Sequence, residues 1–389
     1  MKKNRPRVLV LDGMWNKSLA AVRSLGKRGF FVAAGESTKF ATALFSKYCS
    51  RRVVYPSPLA RAEEFLEWLE TELKEHHYDV LFPMELSTQV LLTSERGRFS
   101  QYCKIPYADS DLVMKLQDKA YLMKHAQEKG YDIPGTHIVR DLDEVKKLER
   151  ELEFPVVIKP RMSSGSRGIV YEKEKKHFVA SYLRVHRNYP FPIVQEYIQK
   201  GGGSYGVCLL LNDASEVRAS FVYKRLREYP VSGGPSTLRV SIKRDDIKTT
   251  AESLLRELQW SGAAHVEFLV DPADGRAKLL EVNPRFWGSL HLAVEAGVDF
   301  PYLLYRMAME GDIEPVHDYR EGVMCRWLIP GDLMHFLSNS RRFNLKPGFF
   351  NLSAKDDILS LKDPMPALGR ISSIFSFITN KDMRQVMKR

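Results

Sequence analysis

The first third of the chain alternates between short apolar runs and longer amphipathic stretches. Strands are predicted at residues 8–11, 30–34 and 79–83, and helices at residues 16–28 and 58–74. This strand–helix–strand alternation predicts a parallel sheet with helices on its faces. Ligands of such sheets bind beyond the carboxyl ends of the strands.

Polar residues follow the predicted strands at that edge. Glu85 and Ser87 come after the third strand and are candidates for substrate contact, with a simple turn as the alternative. Gly13 ends the first strand but lacks the G-x-G-x-x-G pattern, which argues against a dinucleotide site.

A long amphipathic stretch opens the middle of the chain. Asp109 or Ser110 can cap a helix that runs to about residue 129, with Gly130 as its stop. Its apolar positions follow helical spacing, and Lys119 lies off that stripe, within reach of a cleft.

Two segments indicate phosphate and purine contacts. The predicted strand at residues 155–160 ends near Lys159 and is followed by small residues that allow backbone N–H groups to approach phosphates. The small residues of this loop are Ser163, Ser164, Gly165, Ser166 and Gly168. The apolar strand at 192–198 can offer main-chain groups to a purine edge, through Gln195, Glu196, Tyr197 and Ile198. An ordinary strand and turn is the alternative for each segment.

Two carboxylates come together in a predicted hairpin at residues 265–282. Glu281, Asn283 and Arg285 are two residues apart, so an extended strand places them on one face. A loop with an odd number of residues, three or five, would put Glu267 opposite Glu281. Oxygen ligands of this kind suit Mg²⁺, and an adjacent arginine can stabilise a transferring phosphoryl group. Solvated charges on a surface hairpin are the alternative.

A cluster of cations precedes a glycine-rich loop. Lys224, Arg225 and Arg227 lie shortly before the loop at 231–236. Such a cluster suits an anionic substrate or a polyphosphate, and a solvent-facing loop is the competing interpretation.

Composition limits the class of protein. The 389 residues predict two or three domains, and 44% of them are hydrophobic. No apolar run approaches the roughly 18 residues of a membrane span, and residues 8–11 are too short for a signal peptide. Cys49, Cys103, Cys208 and Cys325 lack paired spacing, which argues against disulfides or zinc and predicts a cytoplasmic protein.

The net charge of +11 is concentrated towards the end of the chain. Residues 341–389 contain ten Lys or Arg and four Asp, a net 10 − 4 = +6. This basic tail also carries an apolar run at 371–378, so contact with anionic lipid or nucleic acid is one interpretation. A solvated helix packed on its own protein is the favoured one.

Taken in order, these motifs resemble the ATP-grasp superfamily over residues 109–311. They include Asp118-Lys119, Lys159-Pro160, the loop from Ser163 to Gly168, Gln195 to Ile198, Glu267, and Glu281-Val282-Asn283-Pro284-Arg285. The last element looks most like the branch of the carbamoyl-phosphate synthetase large chain and biotin carboxylase. The sequence departs from the pattern at His265, where several ligases have an arginine, and at Gly201 to Ser204, which lack the acidic residue that often contacts ribose.

The resemblance implies a combined α/β and α+β fold. Residues 1–108 would form a parallel-sheet α/β domain that precedes the ATP-grasp fold. Residues 109–311 would form the two-lobed ATP-grasp domain, with an ATP-binding lobe and lid at 109–194 and a metal-binding lobe at 195–311. Residues 312–389 would form a basic C-terminal extension.

The resemblance also implies roles for the motif residues. Lys119 and Lys159 would neutralise the phosphates of ATP, the loop 163–168 would cover them, and residues 195–198 would hold adenine. Glu267, Glu281 and Asn283 would bind one or two Mg²⁺ or Mn²⁺ ions. Arg285, with Arg225 or Arg227, would be catalytic.

The expected activity is that of an ADP-forming carboxylate–amine ligase with small-molecule substrates, acting in small-molecule, cell-surface or peptide biosynthesis. A homodimer is one open alternative for its assembly. Two other functions remain open: a nucleotide-binding module without catalysis, and a ligase core anchored to membrane or nucleic acid by its basic tail.

Overall fold

Three sheets organise the protein. The computed structural model describes residues 5–163 and 165–379, with only the backbone for residues 374–379. The strands are β1 Arg7–Val10, β2 Phe31–Glu36, β3 Arg51–Val54, β4 Val80–Phe82, β5 Thr136–Ile138, β6 Val156–Lys159, β7 Val170–Glu172, β8 Ile193–Glu196, β9 Ser204–Leu211, β10 Val217–Glu228, β11 Ser236–Ser241, β12 Gly262–Val270, β13 Ala277–Asn283, β14 Met324–Arg326 and β15 Lys355–Asp356. The helices are α1 Asn16–Lys27, α2 Ala62–His76, α3 Leu86–Ser94, α4 Arg96–Phe99, α5 Ser110–Gln117, α6 Lys119–Glu128, α7 Leu142–Glu151, α8 Phe178–His186, α9 Asp245–Glu257, α10 Leu290–Ala296, α11 Phe300–Glu310, α12 Leu333–Ser338 and α13 Met365–Thr379.

The N-terminal sheet is parallel, as its sequence pattern predicts. Its strand order is β3-β2-β1-β4, and every neighbouring pair is parallel. The apolar strands are buried on both sides, which explains why they read as continuous hydrophobic runs.

Two sheets that are mainly antiparallel follow it. The small sheet has the order β5-β8-β6-β7, and the large sheet has the order β13-β12-β9-β10-β11-β14-β15. Only the short pair β14–β15 at the edge of the large sheet is parallel. The mixed α/β fold class predicted from the sequence is therefore confirmed.

The hydrophobic core joins distant parts of the chain. One cluster runs from the N-terminal sheet to Phe286, Trp287, helices α10 and α11, and Ile358. A second lies between the large sheet and helices α5, α6 and α9, and a third lies between the small sheet and helices α7 and α8. Gln89 and Lys17 donate to the carbonyls of Pro284 and Phe286, so the N-terminal sheet approaches the end of the predicted metal hairpin.

The segment after residue 311 is integrated into this fold. Strands β14 and β15 extend the large sheet, and α13 packs on residues 42–45 of the N-terminal domain. Gly369 allows this close approach, because a side chain there would lie 2.7 Å from the Phe45 ring. Among the described residues, no helix is long and apolar enough to cross a membrane.

Candidate active site

The two hairpin carboxylates lie opposite each other. In the β12–β13 ladder, Glu267 pairs with Glu281 and His265 with Asn283. The predicted odd-numbered loop is wrong, because Val270 pairs with Ala277 and leaves the six residues 271–276 between them. A β-bulge between these two pairings, with Leu280 as the extra residue, shifts the register by one. The bulge therefore produces the juxtaposition that an even loop would prevent.

An amide connects the two carboxylates. The Asn283 Nδ2 donates to Glu267 Oε1 at 3.3 Å and to Glu281 Oε1 at 3.2 Å. Its Oδ1 accepts from Arg285 Nη2 at 3.1 Å, so Arg285 stays beside the cluster although β13 has ended. Two carboxylates, an amide and a guanidinium thus occupy one side of the hairpin.

Each carboxylate also has a cationic partner from another element. Arg225 of β10 lies 2.5 Å from Glu267 Oε2, and Lys119 of α6 lies 3.1 Å from Glu281 Oε2. Burial raises the pKa of Glu267, and the Arg225 guanidinium opposes this only in part. Burial would also raise the pKa of Glu281, but Lys119, Asn283 and Lys159 together lower it to about 2. Glu281 is therefore a stable anion at neutral pH.

This donor set fits a hard divalent cation that is shared with phosphates. Across residues 5–163 and 165–379, no cluster of three His, Cys, Asp or Glu side chains could hold a metal ion by itself. Mg²⁺ commonly takes one or two protein carboxylates and completes its octahedron with water and phosphate oxygens. Glu267 and Glu281 supply those carboxylates, and the side-chain oxygen of Asn283 is a further candidate ligand.

A helix break brings Lys119 to the site. The predicted helix from 109 to 129 is wrong as one unit, because it breaks at Asp118, where ψ is 106°. The Asp118 carboxylate accepts from Ala120 N at 2.9 Å and caps α6. Lys119 becomes the first residue of the new helix, and its side chain is buried against Glu281 and the Ser163 carbonyl.

A cavity of about 400 Å³ lies between the small and large sheets. Of the predicted nucleotide-binding residues, it is lined by Lys119, Lys159, Ser166, Glu196, Tyr197 and Ile198. Burial lowers the pKa of Lys159 to about 8, although the carboxylate of Glu281 counteracts part of that effect. The cavity therefore combines two lysines with the end of a strand, as a nucleotide site requires.

The predicted lid loop borders the same cavity. Gly165, Ser166 and Gly168 have positive φ angles of 65°, 62° and 73°. Gly168 has no room for a side chain, since one would lie 2.6 Å from the Tyr189 ring. The Ser163 carbonyl accepts from Lys119 Nζ at 2.8 Å, whereas Ser164 lies outside the described residues.

The predicted adenine segment is only partly available to a ligand. Gln195 is fully buried and donates to Thr136 Oγ1 at 2.8 Å, so it supports the strand instead of facing the cavity. The Glu196 N–H donates to the Gly135 carbonyl, and the Glu196 carboxylate lies 2.8 Å from Lys278 Nζ. Tyr197 and Ile198 border the cavity directly.

A second cavity of about 440 Å³ lies on the other side of the carboxylates. Glu267, Glu281 and Arg225 line both cavities, so the carboxylate pair separates them. Arg285 lines only the second one, as does His265. Two cavities that meet at a candidate metal centre suit a reaction in which a group passes from one ligand to another.

Arg227 lines the 400 Å³ cavity, but its guanidinium is engaged with the C-terminal segment. Its guanidinium is buried, lies 2.7 Å from Asp332 and donates to the carbonyls of Pro347 and Gly348. A bulge in the β10–β11 pairing falls between Arg225 and Arg227, so the two side chains have different surroundings. Arg227 thus holds the C-terminal segment, while Arg225 faces the carboxylates.

Sequence reasoning did not assign two contributions to this site. His265 lies 3.5 Å from Glu267 and 3.0 Å from the Tyr223 hydroxyl, and burial holds its pKa well below the usual range. Lys17 lies 2.6 Å from Glu85, so the N-terminal domain adds an ion pair to the second cavity. The position of Glu85 at a strand end indicated that this residue could contribute to a site. Lys17 gave no such signal, because its position in a helix is typical of an ordinary surface residue.

Comparison with known proteins identifies a matching domain family and several distant relatives. The ATP-grasp domain family matches residues 116–289. The carbamoyl phosphate synthase large chain of Thermotoga neapolitana is 22% identical over 80% of this chain and 29% of its own length. D-aspartate ligase of Enterococcus faecium is 28% identical over 50% of each protein. The chain thus spans under a third of the synthase and half of the ligase.

Solved structures share the fold. The biotin carboxylase domain dimer of Hydrogenobacter thermophilus 2-oxoglutarate carboxylase, in complex with MgADP, ADP and bicarbonate, has a TM-score of 0.66 at 14% identity, covering 82% of this chain and 73% of that one. The L-amino acid ligase of Bacillus licheniformis has a TM-score of 0.58 at 17% identity, covering 81% and 79%. Residues 116–289 are therefore identified as an ATP-grasp domain, and the solved structures show that the chain shares their fold.

Proposed function

We propose that this protein is an ATP-dependent, ADP-forming ligase that joins a carboxylate to an amine. The observation that carries the proposal is the position of Glu267 and Glu281 between two cavities, with a cation at each carboxylate. ATP would occupy the 400 Å³ cavity and the substrates would occupy the 440 Å³ cavity. Relatives with C–N ligase names, D-aspartate ligase and L-amino acid ligase, support the reaction class.

The reaction consists of two balanced steps. A substrate carboxylate oxygen attacks the γ-phosphorus of ATP, the bond to the β-γ bridging oxygen breaks, and an acyl phosphate and ADP form. An amine then attacks the acyl carbon and loses a proton, and inorganic phosphate leaves. Activation is needed because a free carboxylate has no adequate leaving group.

The protein contributes charge and position to these steps. Lys119 and Lys159 would stabilise the phosphates, and Arg225 and Arg285 the transferred group and the acyl phosphate. Mg²⁺, when held by Glu267, Glu281 and Asn283, would supply charge neutralisation between the nucleotide and the carboxylate. Tyr197 and Ile198 would border the base.

The experiment is an ADP-release screen with carboxylates and amino acids offered in pairs. Dependence on one pair and on Mg²⁺ would identify the reaction. Glu281→Gln and Asn283→Ala should each lower Mg²⁺-dependent ADP release by about 100-fold or more, because both remove a group at the phosphoryl-transfer centre. Glu314→Gln, on an exposed carboxylate, is the matched control and should keep wild-type turnover. Unchanged turnover in folded Glu281→Gln would contradict the proposal.

The structure bears on the two alternative functions. A nucleotide-binding module without catalysis is disfavoured because both carboxylates and their cationic partners are present. An anchoring tail is disfavoured up to residue 373, because α13 packs on residues 42–45 and the buried Arg370 donates to the Met14 carbonyl. Residues 380–389 of the basic tail lie outside the described part of the chain.

A further inference from the structure

The wall of the substrate cavity that faces away from the nucleotide comes from outside the matched family region. Trp15 and Asn16 of the N-terminal domain line it, together with Trp327, Asp357 and Arg370 of the C-terminal segment. These residues lie before residue 116 or after residue 289, the limits of the family match. The wall is therefore a place where this chain can differ in specificity from other ATP-grasp proteins.

Buried donors without partners point to the ligand of this wall. The lining side chains include the Nε groups of Arg225, Arg239 and Arg370 and the indole Nε1 groups of Trp287 and Trp327, all buried and without a hydrogen-bond partner. Among the described residues, no carboxylate or amide oxygen of the lining is buried without a partner. Buried N–H groups are normally satisfied, so a set of donors predicts a ligand that accepts hydrogen bonds.

Arg370 distinguishes an anionic ligand from a neutral one. Arg225 and Arg239 are neutralised, since each lies 2.5 Å from a carboxylate, Glu267 and Asp357 respectively. Arg370 is 8% exposed, and its hydrogen-bond acceptors are the Met14 carbonyl at 3.1 Å and the Asn16 side-chain oxygen at 2.5 Å, both neutral. The carboxylates that attract its charge, Asp357 and Asp356, lie beyond ion-pair distance, and Asp357 already pairs with Arg239. A buried charge without a direct ion pair is costly, and an anion in the cavity offsets that cost.

The amount of charge favours a carboxylate over a phosphate. Among the described residues, Arg370 forms no ion pair, so it adds one positive charge to this wall, which matches one carboxylate better than a phosphate dianion. Arg285, whose acceptors are the Asn283 side chain and the Phe286 carbonyl, is the corresponding cation near the metal centre. Two guanidinium groups with neutral partners in one cavity suit two anionic groups, one that reacts and one that is only bound.

We propose that Arg370, with the indole N–H of Trp327 and the Nε of Arg239, binds a carboxylate of the substrate pair that does not receive the phosphoryl group. This inference rests on the proposed ligase function and adds the substrate class. The non-reacting carboxylate is carried either by the amine, which is then an amino acid, or by the acid, which is then a dicarboxylate. Arg370 is a specificity-determining residue in both cases.

The test compares acids with their amides on the full chain saturated with MgADP. One arm offers L- and D-amino acids, each beside its C-terminal amide. The other arm offers succinate beside succinamate and glutarate beside glutaramate. Thermal-shift titration measures affinity, and ADP release is followed in parallel once a reacting pair is known.

The expected result is a preference that depends on Arg370. In either the amino-acid arm or the dicarboxylate arm, the acids should bind the wild-type protein about tenfold more tightly than their amides. The Arg370→Met variant should lose that preference and keep its affinity for MgADP. The Arg370→Lys variant keeps the positive charge but loses the bidentate geometry of the guanidinium group, so it should keep part of the preference for acids. The Trp327→Phe variant loses one N–H donor and should show a reduced preference. Arg256→Met, on an exposed arginine, is the control and should keep it fully.

The outcomes separate this inference from the proposed function. Failure of wild type to bind MgADP would refute the ligase proposal itself. Normal MgADP binding with no acid preferred over its amide in either arm would overturn the inference alone. If Arg370→Met does not fold, the wild-type comparison and the Trp327→Phe and Arg370→Lys variants decide.

Discussion

At the scale of single residues, the site depends on which charges are paired and which are not. Glu267 and Glu281 face each other, yet the pKa of Glu281 is lowered to about 2 while that of Glu267 is raised. Both carboxylates are buried and both accept from Asn283, but Lys119 and Lys159 act on Glu281, whereas the negative charge of Glu281 raises the pKa of Glu267 against the effect of Arg225. A divalent cation would relieve the repulsion between the two carboxylates.

Lys159 should make nucleotide affinity depend on pH. Its folded-state pKa is about 8, lowered mainly by burial, so its ammonium is protonated below pH 8 and loses its charge above it. Because the protonated form binds phosphate, the affinity for MgADP should fall by up to about tenfold between pH 8 and 9. Calorimetric titration at pH 7, 8 and 9 measures this. Lys159→Arg should keep its affinity across the range, and an equal decline in that variant would exclude Lys159 as the cause.

At the scale of elements, two irregularities create the site. The bulge at Leu280 gives β13 the register that places Glu281 opposite Glu267. The break at Asp118 ends α5 and starts α6 with Lys119, and Asp118 also pairs with Arg161 beside the lid loop. Without the break, Lys119 would continue helix α5, and its side chain would point in a different direction.

Replacing Asp118 should therefore affect both stability and nucleotide binding. Asp118→Ala removes the cap of α6 and the Arg161 pair, and should lower the free energy of unfolding by about 1–2 kcal/mol. It should also raise the KM for ATP, because Lys119 is then less well positioned. Urea denaturation and steady-state kinetics measure the two effects. Asp118→Asn keeps a capping oxygen without the charge, so it should recover most of the stability; equal losses in both variants would argue against the capping role.

At the scale of the whole molecule, the C-terminal segment acts as part of the core. Asp332, Asp357 and Asp363 are buried partners of Arg227, Arg239 and Arg23. Arg23 also donates to the main-chain carbonyls of Asp357 and Ile358. The segment therefore connects the N-terminal domain to the large sheet and completes the 440 Å³ cavity.

Truncation should reveal this dependence. A chain that ends at residue 311 loses the counter-ions of Arg23, Arg227 and Arg239 together with the core residues Cys325 and Ile358. It should not fold cooperatively, because each of these charges that stays buried costs about 3–5 kcal/mol. A chain that ends at residue 379 keeps all three pairs and should retain the wild-type melting temperature and ADP release. Circular dichroism melts and the ADP assay compare the two. A folded, active 1–311 protein would show that the segment is an independent appendage.

The sequence by itself determined the parts of this protein that are local. The parallel N-terminal sheet follows from apolar periodicity, and the roles proposed for Lys159, Glu267, Glu281 and Asn283 follow from motif order and two-residue spacing. These signals suffice because each depends on neighbouring residues or on one hairpin.

Only the tertiary structure decided the rest. The bulge and the helix break depend on packing that periodicity does not encode, and the odd hairpin loop and the single helix were wrong for that reason. Arg227 and Arg225 have the same side chain two residues apart, and only their surroundings assign one to the C-terminal segment and the other to the carboxylates. Arg370 contacts Met14 and Asn16 more than 350 positions away. The 440 Å³ cavity is closed by such distant contacts, so its wall forms only when the whole chain is folded.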